Sequence, residues 1–302
     1  MTDIIIVGAG TAGLSAAIYG VRAGKTVLVL EANAYGGQII NTPEIENYPG
    51  IKNTSGFEFA TGLYEQATGL GAEVAYEEVV SVEDRGSVKI VKTGSREYEA
   101  KAVILAAGAK NRSLGLPHET EWVGRGVSYC ATCDGAFFKG KVTAVAGGGN
   151  TALEDALFLS NYCEKVYLIH RRDQFRGDEK TAAILRQKEN VEFVLNARIN
   201  ALLGENGVEG VEVEDKLTGE KRELLISGFF VAIGQEPQNA FVSGLVSLDP
   251  GGYIVAGEDT KTNVPGVFAA GDGRTKTVRQ LTTAAADGAV SALAACAYID
   301  NE

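Results

Sequence analysis

The stretch Ile4–Gly13 reads IIIVGAGTAG, a short apolar run that leads directly into a GxGxxG pattern. A continuous apolar run of this kind is typical of a strand buried on both faces of a parallel sheet. In the pattern, Gly8 permits a tight turn, Gly10 lets a pyrophosphate approach the backbone, and Gly13 lets a helix pack close to the strand. We therefore predict a dinucleotide site at this turn, with Ala12 among the residues that face the cofactor.

The residues after this pattern complete a nucleotide-binding motif. Apolar side chains recur at helical spacing from Leu14 to Val21, and a second apolar strand, Thr26–Leu30, ends at Glu31. The helix N-terminus favours the charge of a phosphate, and the Glu31 carboxylate can accept hydrogen bonds from ribose hydroxyls. Glycine-rich turns alone are common, so the two strands, the helix and the acid together make the prediction specific.

The same pattern occurs a second time. The apolar run Val142–Ala146 leads into Gly147–Ala152, GGGNTA, and a helix and the strand Val166–Ile169 follow. This repeat predicts a second dinucleotide site. The residues that we expect to line it are Gly147, Gly149, Asn150 and Thr151.

A basic cluster replaces the acid in the second repeat. His170 occupies the register of Glu31 and is followed by Arg171 and Arg172, with Arg176 shortly after. A carboxylate at this register would repel a 2′-phosphate, whereas arginine binds one through its charge and its fork of donors. The cluster therefore predicts a preference for NADPH over NADH, and the alternative is a solvated basic turn.

Three further apolar strands end at glycine and indicate the topology. Val103–Gly108 and Phe229–Gly234 come late in the two repeats and are the expected returning strands. A third strand, Gly266–Gly271, and an Ala-rich helix follow a repeat that is already complete, so the simplest topology returns them to the first domain. We predict an α/β protein with two Rossmann-like dinucleotide-binding domains, the second inserted in the first. The expected limits are 1–114 with 246–302 for the first domain and 115–245 for the second.

A pair of cysteines lies between the two glycine patterns. Cys130 and Cys133 form a CxxC tetrapeptide, and in a reducing compartment such a pair is more often redox-active or metal-binding than structural. Next to two dinucleotide sites, the pair suggests an electron relay from nicotinamide to flavin to a disulfide. Half of a zinc site is the alternative, but structural zinc needs four ligands and the sequence has no second pair.

Asp134, directly after this pair, is predicted to be the acid and base of the thiol chemistry. The thiolate is the nucleophile in disulfide exchange, so a neighbouring group must move its proton. The chain has two histidines, and His170 is already assigned to the nucleotide. A turn-forming or capping role is the alternative for Asp134, and the order in which Cys130 and Cys133 react stays open.

Composition limits the partners and the location. The 302 residues carry a net charge of −11, which argues against nucleic acid because affinity for it rests on lysine and arginine clusters. The N-terminus lacks the features of a signal peptide, and no segment approaches about 18 apolar residues, so we expect a cytoplasmic protein with no membrane partner. Cys163 and Cys296 have no partner at motif spacing and are expected to be buried as apolar side chains.

From end to end, the chain resembles the low-molecular-weight bacterial thioredoxin reductases. The combination of a CATCDG block with an HRRD block is highly specific for that family. The segments that carry the resemblance are Gly36–Gln38, Glu46–Gly50, Gly124–Gly135, Gly147–Ala152, His170–Asp173, Phe175–Arg176, Gly271–Asp272 and Arg279–Gln280.

The resemblance implies FAD in the first domain and NADPH in the inserted one. It implies that electrons pass from NADPH to FAD, then to the Cys130–Cys133 disulfide, and then to thioredoxin or a thioredoxin-like small disulfide protein. It also implies a homodimer whose NADPH domain swings to offer nicotinamide and dithiol to the flavin in turn. The implied FAD contacts are Glu31, Gly36, Gly37, Gln38, Asn47, Asp272, Arg279 and Gln280. The implied NADPH contacts are Asn150, Thr151, His170, Arg171, Arg172 and Arg176.

Other functions on the same fold are alternatives. They are a ferredoxin-linked reductase, a flavin-recycling reductase, a dithiol oxidase that uses oxygen, a peroxiredoxin-reducing relative and a non-catalytic flavoprotein. The HRR cluster argues against ferredoxin as the donor. A peroxiredoxin-reducing form is expected to have an extra N-terminal thiol domain, whereas this chain starts at its first nucleotide strand. An intact Cys130–Cys133 pair beside Asp134 argues against a non-catalytic module.

Overall fold

The structure is a computed structural model and describes residues 1–301 of the chain. Its strands are β1 Thr2–Val7, β2 Val27–Leu30, β3 Glu73–Ala75, β4 Val79–Arg85, β5 Val88–Thr93, β6 Glu97–Leu105, β7 Ala109–Asn111, β8 Val127–Ser128, β9 Val142–Gly147, β10 Lys165–Ile169, β11 Val191–Val194, β12 Ala197–Leu203, β13 Gly210–Asp215, β14 Lys221–Leu225, β15 Gly228–Ala232, β16 Gln235–Pro237 and β17 Val267–Ala269. Its α-helices are α1 Thr11–Arg22, α2 Gly56–Gly69, α3 Ala131–Asp134, α4 Asn150–Leu159, α5 Glu179–Arg186 and α6 Leu281–Asp300. Short 3₁₀ helices span Gly37–Asn41, Gly135–Phe138, Ala240–Val242 and Gly271–Gly273.

The chain divides into two units, one of which is inserted in the other, as predicted. The first unit comprises Met1–Lys110 with Glu236–Glu302, and the second is Asn111–Gln235. The chain passes between the units at β7 and β16, which pair with each other as a two-stranded sheet. These crossings come before residues 114 and 245, at which the sequence suggested the domain limits.

The first unit is built on one sheet of seven strands. Its order is β3-β2-β1-β6-β5-β4, and β17 also pairs with β6. The pairs of β1 with β2, β1 with β6 and β6 with β17 are parallel, so the closing strand returns to the first sheet as expected. Alternate residues of β1 face opposite sides of the sheet. Ile4 and Ile6 pack in one core with α1 and α6, and Ile5 and Val7 pack in a second core.

The Ala-rich helix α6 lies close against α1. A Cβ added to Gly288 would overlap the carbonyl oxygen of Ala12. The Ser15 hydroxyl donates a hydrogen bond of 2.7 Å to the Ala285 carbonyl oxygen. Small side chains let the two backbones approach, so close packing accounts for the composition of α6.

Helix α6 is also long and apolar enough, by length and composition only, to cross a membrane. Its sequence contains Thr, Asp, Gly and Ser and so lacks the run of about 18 apolar residues that a span needs. Alanine, which packs α6 against α1, raises the hydropathy of the segment. The helix carries a buried, ion-paired Asp287 near its middle, which is a feature of a core helix.

The second unit contains a parallel sheet and a small antiparallel one. The parallel sheet has five strands in the order β11-β10-β9-β15-β8, and β12-β13-β14 form the antiparallel meander. Alternate residues of β9 again enter separate cores, with Ala144 and Ala146 on one face and Val145 on the other. Cys163 in this unit and Cys296 in the first are free and buried, which confirms the prediction for both.

Candidate functional site

The first glycine loop joins β1 to α1, and glycine occurs at each of its three positions for a different structural reason. A Cβ on Gly8 would overlap the Ala106 carbonyl oxygen, and Gly8 has a φ of 105°. A Cβ on Gly13 would overlap the carbonyl oxygen of Gly8, so helix and strand could not pack as closely. By contrast, a Cβ on Gly10 would have no atom of the described chain within 4 Å. Gly10 therefore borders open space where a pyrophosphate can reach the N-terminus of α1.

Glu31 lies beside this loop at the end of β2. Its Oε2 accepts a hydrogen bond of 2.8 Å from the Ala9 N–H, and its Oε1 accepts one of 3.0 Å from the Asn33 N–H. The Gly36 N–H donates to the Ala9 carbonyl oxygen at 2.8 Å, which brings the segment that starts at Gly36 against the same loop. The structure thus groups the ribose-binding candidate and the Gly36–Gln38 segment around one turn.

Asp272 lies in the turn after β17 and has an unpartnered oxygen. Its Oδ1 is buried and has no hydrogen-bond partner among residues 1–301. Burial raises the pKa of this carboxyl, while the charges of Lys276 and Arg279 act in the opposite direction. A buried polar atom without a partner costs about 1–3 kcal/mol. A donor group on a bound cofactor would satisfy Asp272, so the residues present fit FAD.

The remaining FAD candidates lie in the same unit. Asn47 Nδ2 donates a hydrogen bond of 3.3 Å to Gln280 Oε1, which joins two segments far apart in sequence. Arg279 Nε donates to the Asp272 carbonyl oxygen at 3.3 Å. Gln38 donates from Nε2 to a backbone carbonyl oxygen at the start of β7. These contacts connect the candidate residues within the first unit.

The second glycine loop joins β9 to α4 in the same way. A Cβ on Gly147 would overlap the Ala232 carbonyl oxygen, whereas one on Gly149 would have no described atom within 4 Å. Asn150 begins α4, and its Oδ1 accepts a hydrogen bond of 2.8 Å from the Asp178 N–H. Gly149 is therefore the equivalent of Gly10, and Thr151 follows on the exposed first turn of the helix.

His170 has a different position from the arginines that follow it. Its ring is only 6% exposed and stacks on Phe175 with 5.3 Å between the ring centroids. A Cβ on Gly148 would overlap this ring, so the second glycine of the loop is required by His170. His170 Nε2 lies 3.1 Å from the Gln174 carbonyl oxygen, and burial lowers the pKa of the imidazole. The imidazole ring thus packs against the glycine loop at Gly148 as a neutral group.

One of the arginines contacts the glycine loop through its backbone. The Arg176 N–H donates a hydrogen bond of 2.7 Å to the Gly148 carbonyl oxygen, which fixes the basic segment beside the phosphate loop. Arg171, Arg172 and Arg176 are exposed, and none of them forms an ion pair within the described chain. Three cations without carboxylate partners, next to an open glycine turn, are suited to a bound phosphate.

The cysteine pair and Asp134 are joined by a residue that the sequence did not single out. Cys130 and Cys133 form a disulfide at the start of α3. Buried Ser128 accepts a hydrogen bond of 3.0 Å from the Cys130 N–H, and its hydroxyl donates one of 2.7 Å to Asp134 Oδ2. Only the place of Ser128 in the block Gly124–Gly135 could have indicated this role.

Asp134 has the environment of a proton-transfer group. Burial raises the pKa of its carboxyl, and the hydrogen bond from Ser128 acts in the opposite direction. The carboxylate makes no capping hydrogen bond to the 3₁₀ helix that follows, so the capping alternative finds no support. A carboxyl that keeps its proton more readily than usual can give one to a thiolate nearby.

A second unpredicted group lies beneath the Asp272 turn. Asp287 of α6 accepts hydrogen bonds from Arg274, Lys276 and the Gly271 N–H. No motif contains these residues together. The one signal in the sequence is a lone acid in the interior of an Ala-rich helix.

Comparisons with known proteins agree with this arrangement. A model of the pyridine nucleotide-disulphide oxidoreductase family matches residues 2–288. A thioredoxin reductase of Treponema pallidum is 46% identical over 99% of this chain and 97% of its own length. A bifunctional thioredoxin reductase/thioredoxin of Mycobacterium leprae is 45% identical over 96% of this chain and 64% of its own length. The crystal structure of a thioredoxin reductase from Streptococcus pyogenes matches 100% of this chain and 99% of its own with a TM-score of 0.96 and 39% identity.

Proposed function

Because the chain belongs to the pyridine nucleotide-disulphide oxidoreductase family, we propose that it is an NADPH-dependent thioredoxin-disulfide reductase. Electrons pass from NADPH through FAD to the Cys130–Cys133 disulfide and on to oxidised thioredoxin. The observation that carries the proposal is this disulfide, linked through Ser128 to Asp134, in the unit that also holds the arginine-bordered loop. Thioredoxin as the acceptor is supported by the Mycobacterium leprae relative, whose name joins the two proteins.

Each unit holds one cofactor in this proposal. FAD, when bound, is the two-electron carrier between the nicotinamide and the disulfide. The residues that would hold FAD are Gly8, Gly10, Ala12, Gly13, Glu31, Gly36, Gly37, Gln38, Asn47, Asp272, Arg279 and Gln280. Those that would hold NADPH are Gly147, Gly149, Asn150, Thr151, Arg171, Arg172 and Arg176, with His170 beneath the loop as their support.

The chain's own thiol chemistry starts with the opening of the Cys130–Cys133 bond. Two electrons break the S–S bond and leave two thiolates, and Asp134 gives a proton to one of them. The other thiolate attacks one sulfur of the thioredoxin disulfide and forms a mixed disulfide. The cysteine that was protonated then returns its proton to Asp134, and its thiolate attacks the mixed disulfide. The Cys130–Cys133 bond forms again, and thioredoxin leaves as a dithiol after taking up two protons. Ser128 holds the Asp134 carboxylate in place during both proton transfers.

We also propose a cytoplasmic homodimer without a nucleic-acid or membrane partner. The two buried free thiols suit a reducing compartment, and the net charge of −11 does not suit a phosphate backbone. Sedimentation velocity at micromolar concentration measures the oligomeric state, and a monomer would contradict this part of the proposal.

An anaerobic titration of the purified protein with NADPH tests the main proposal. Complete bleaching of the flavin spectrum should require two electron pairs, one for the disulfide and one for FAD. A variant in which Cys130 and Cys133 are both serine should take up one pair, and NADH should be a much weaker donor. If NADPH does not bleach the flavin, the donor is wrong. If the wild-type enzyme takes up one pair, or does not then reduce thioredoxin, the disulfide is outside the reaction.

A further inference from the structure

Lys216 is in contact with the basic loop, although the two are 45 residues apart in sequence. It lies in the turn between β13 and β14, and its Nζ donates a hydrogen bond of 3.3 Å to the Arg171 carbonyl oxygen. The Lys216 N–H donates to the Asn196 carbonyl oxygen at 2.8 Å, and the Asn196 N–H donates to the Arg172 carbonyl oxygen at 3.2 Å. Two backbone contacts and one side-chain contact thus fix Lys216 next to Arg171 and Arg172.

The turn that carries Lys216 is itself well defined. Asp215 Oδ1 accepts hydrogen bonds from the Leu217 N–H at 2.7 Å and from the Thr218 N–H at 3.1 Å. This carboxylate is therefore occupied by its own turn, and it forms no ion pair with Lys216. The Lys216 ammonium group therefore has no carboxylate partner in its own turn.

The pairing of charges in the surrounding sheet makes Lys216 distinct. Other cations of β12 and β14 have carboxylate partners, with N–O distances of 3.0 Å for Arg198–Glu214, 3.1 Å for Lys221–Glu212 and 3.2 Å for Arg222–Glu192. Within residues 1–301, Lys216 and the three arginines of the loop form no ion pair, and neither does Asp173, the one carboxylate among them. These four unpaired cations lie on one loop and on the turn that is hydrogen-bonded to it, so they can form a site for a group with more than one negative charge.

We propose that Lys216 is a fourth cation of the 2′-phosphate site and contributes to the preference for NADPH over NADH. A phosphate monoester carries about −1.5 to −2 charges at pH 7, so a fourth cation still adds to binding after three arginines. The 5′ side of the nucleotide lies at the glycine loop, so Lys216 should distinguish nucleotides only by their 2′ group. This inference rests on the proposed function, because it takes NADPH as the donor.

The test compares two lysines of the same hairpin. Lys216→Ala and Lys221→Ala each remove one positive charge from an exposed position, but Lys221 already has Glu212 as its partner. Calorimetry on the FAD-bound protein measures the dissociation constants of adenosine 2′,5′-bisphosphate and of AMP. Lys216→Ala should raise the dissociation constant of the bisphosphate about fivefold, the size expected for one exposed charge pair, and leave the dissociation constant of AMP unchanged. Lys221→Ala should change neither, and Lys216→Arg should retain most of the affinity.

Steady-state kinetics give a second readout. The ratio of kcat/KM for NADPH to that for NADH should fall in Lys216→Ala by the same factor as the bisphosphate affinity. Equal weakening of both nucleotides would show that Lys216 only supports the loop, and an unchanged ratio would also overturn the inference. Wild-type enzyme that binds the bisphosphate no better than AMP would overturn the proposed donor and this inference with it.

Discussion

Arg274 and Asp287 form a two-point ion pair in the interior of the first unit. The distances are 2.7 Å from Nη2 to Oδ1 and 2.8 Å from Nε to Oδ2, and the side chains are 2% and 7% exposed. Asp287 Oδ2 also accepts the Gly271 N–H at 2.9 Å and the Lys276 ammonium group at 2.9 Å. Because Gly271 directly precedes Asp272, one carboxylate on α6 fixes the turn that carries Asp272, the proposed FAD contact.

Replacing Asp287 should therefore weaken FAD binding. Asp287→Asn keeps the volume but leaves buried Lys276 without a carboxylate and buried Arg274 with only the exposed Glu258 at 3.5 Å. Removing one partner of a buried ion pair typically costs about 3–5 kcal/mol. We expect the dissociation constant of FAD, measured by fluorescence on the apoprotein, to rise on the order of tenfold or more. Asp84→Asn is the matched control, since it removes the partner of Lys89, which is 1% exposed and lies in another part of the unit. FAD affinity equal to wild type in Asp287→Asn would show that the turn holds its shape without the pair.

The local parts of the fold and site could be predicted from sequence. Apolar runs followed by glycine turns gave β1, β9 and their helices, because a parallel strand and a phosphate loop place steric demands on consecutive residues. Gly8 and Gly13 are explained by backbone atoms that a Cβ would overlap. The basic cluster could be read because its register relative to the glycine loop repeats that of Glu31.

Contacts between distant segments could not be predicted. Asp287 approaches Gly271 only because α6 packs on α1 through small side chains, and no local pattern encodes that approach. His170 was assigned to the cofactor with the arginines, yet it supports Gly148 as a buried ring, since its orientation depends on packing against Phe175. Its direct contact with NADPH stays a prediction.

Asp134→Asn should slow thioredoxin reduction and leave the flavin's reduction by NADPH at its normal rate. An amide cannot exchange a proton with the thiols, whereas hydride transfer does not involve Asp134. Stopped-flow absorbance separates the two steps. If both steps kept their wild-type rates, the assignment to Asp134 would be wrong.

The pH dependence of thioredoxin reduction should identify the same carboxyl. Because burial raises the pKa of Asp134, its protonated form persists to higher pH than in an ordinary carboxyl, and proton donation is lost as the pH rises through that value. Ser128→Ala removes a hydrogen bond that favours the ionised form, so this limb of the pH–rate profile should move to higher pH. In Asp134→Asn the limb should disappear. A downward shift in Ser128→Ala would contradict the assignment.

Asp155 on α4 should reduce the stability of the second unit at neutral pH. Burial, with a smaller contribution from the Glu154 charge, raises the pKa of Asp155 to about 7 from 3.8. The folded state therefore holds a proton that the unfolded state has lost, and stability falls as the pH rises from about 4 to about 7. At pH 8, Asp155→Asn should be more stable than wild type by on the order of 2–4 kcal/mol, and at pH 4 the two should be similar.

Urea unfolding followed by tryptophan fluorescence measures this difference, since Trp122 is the only tryptophan and is buried in the second unit. Glu154→Gln is the control, because it removes a neighbouring but exposed carboxylate and should change stability little at either pH. A loss of stability in Asp155→Asn that is equal at pH 4 and pH 8 would mean that shape rather than charge decides at this position.

Neighbouring glycines of the second loop should respond to the same substitution in opposite ways. Gly148→Ala places a methyl group on the His170 ring, so it should destabilise the second unit by about 1–3 kcal/mol, as overpacking does. The double variant Gly148→Ala with His170→Ala should lose less stability than the sum of the losses of the two single variants, because the second substitution removes the ring that the methyl group meets.

The methyl group of Gly149→Ala meets no described atom within 4 Å, so stability should be retained, but this methyl group occupies the space proposed for the pyrophosphate. We expect NADPH binding, measured by calorimetry, to weaken strongly in Gly149→Ala while its urea midpoint stays at the wild-type value. Unchanged NADPH affinity in this variant would place the cofactor away from the glycine loop.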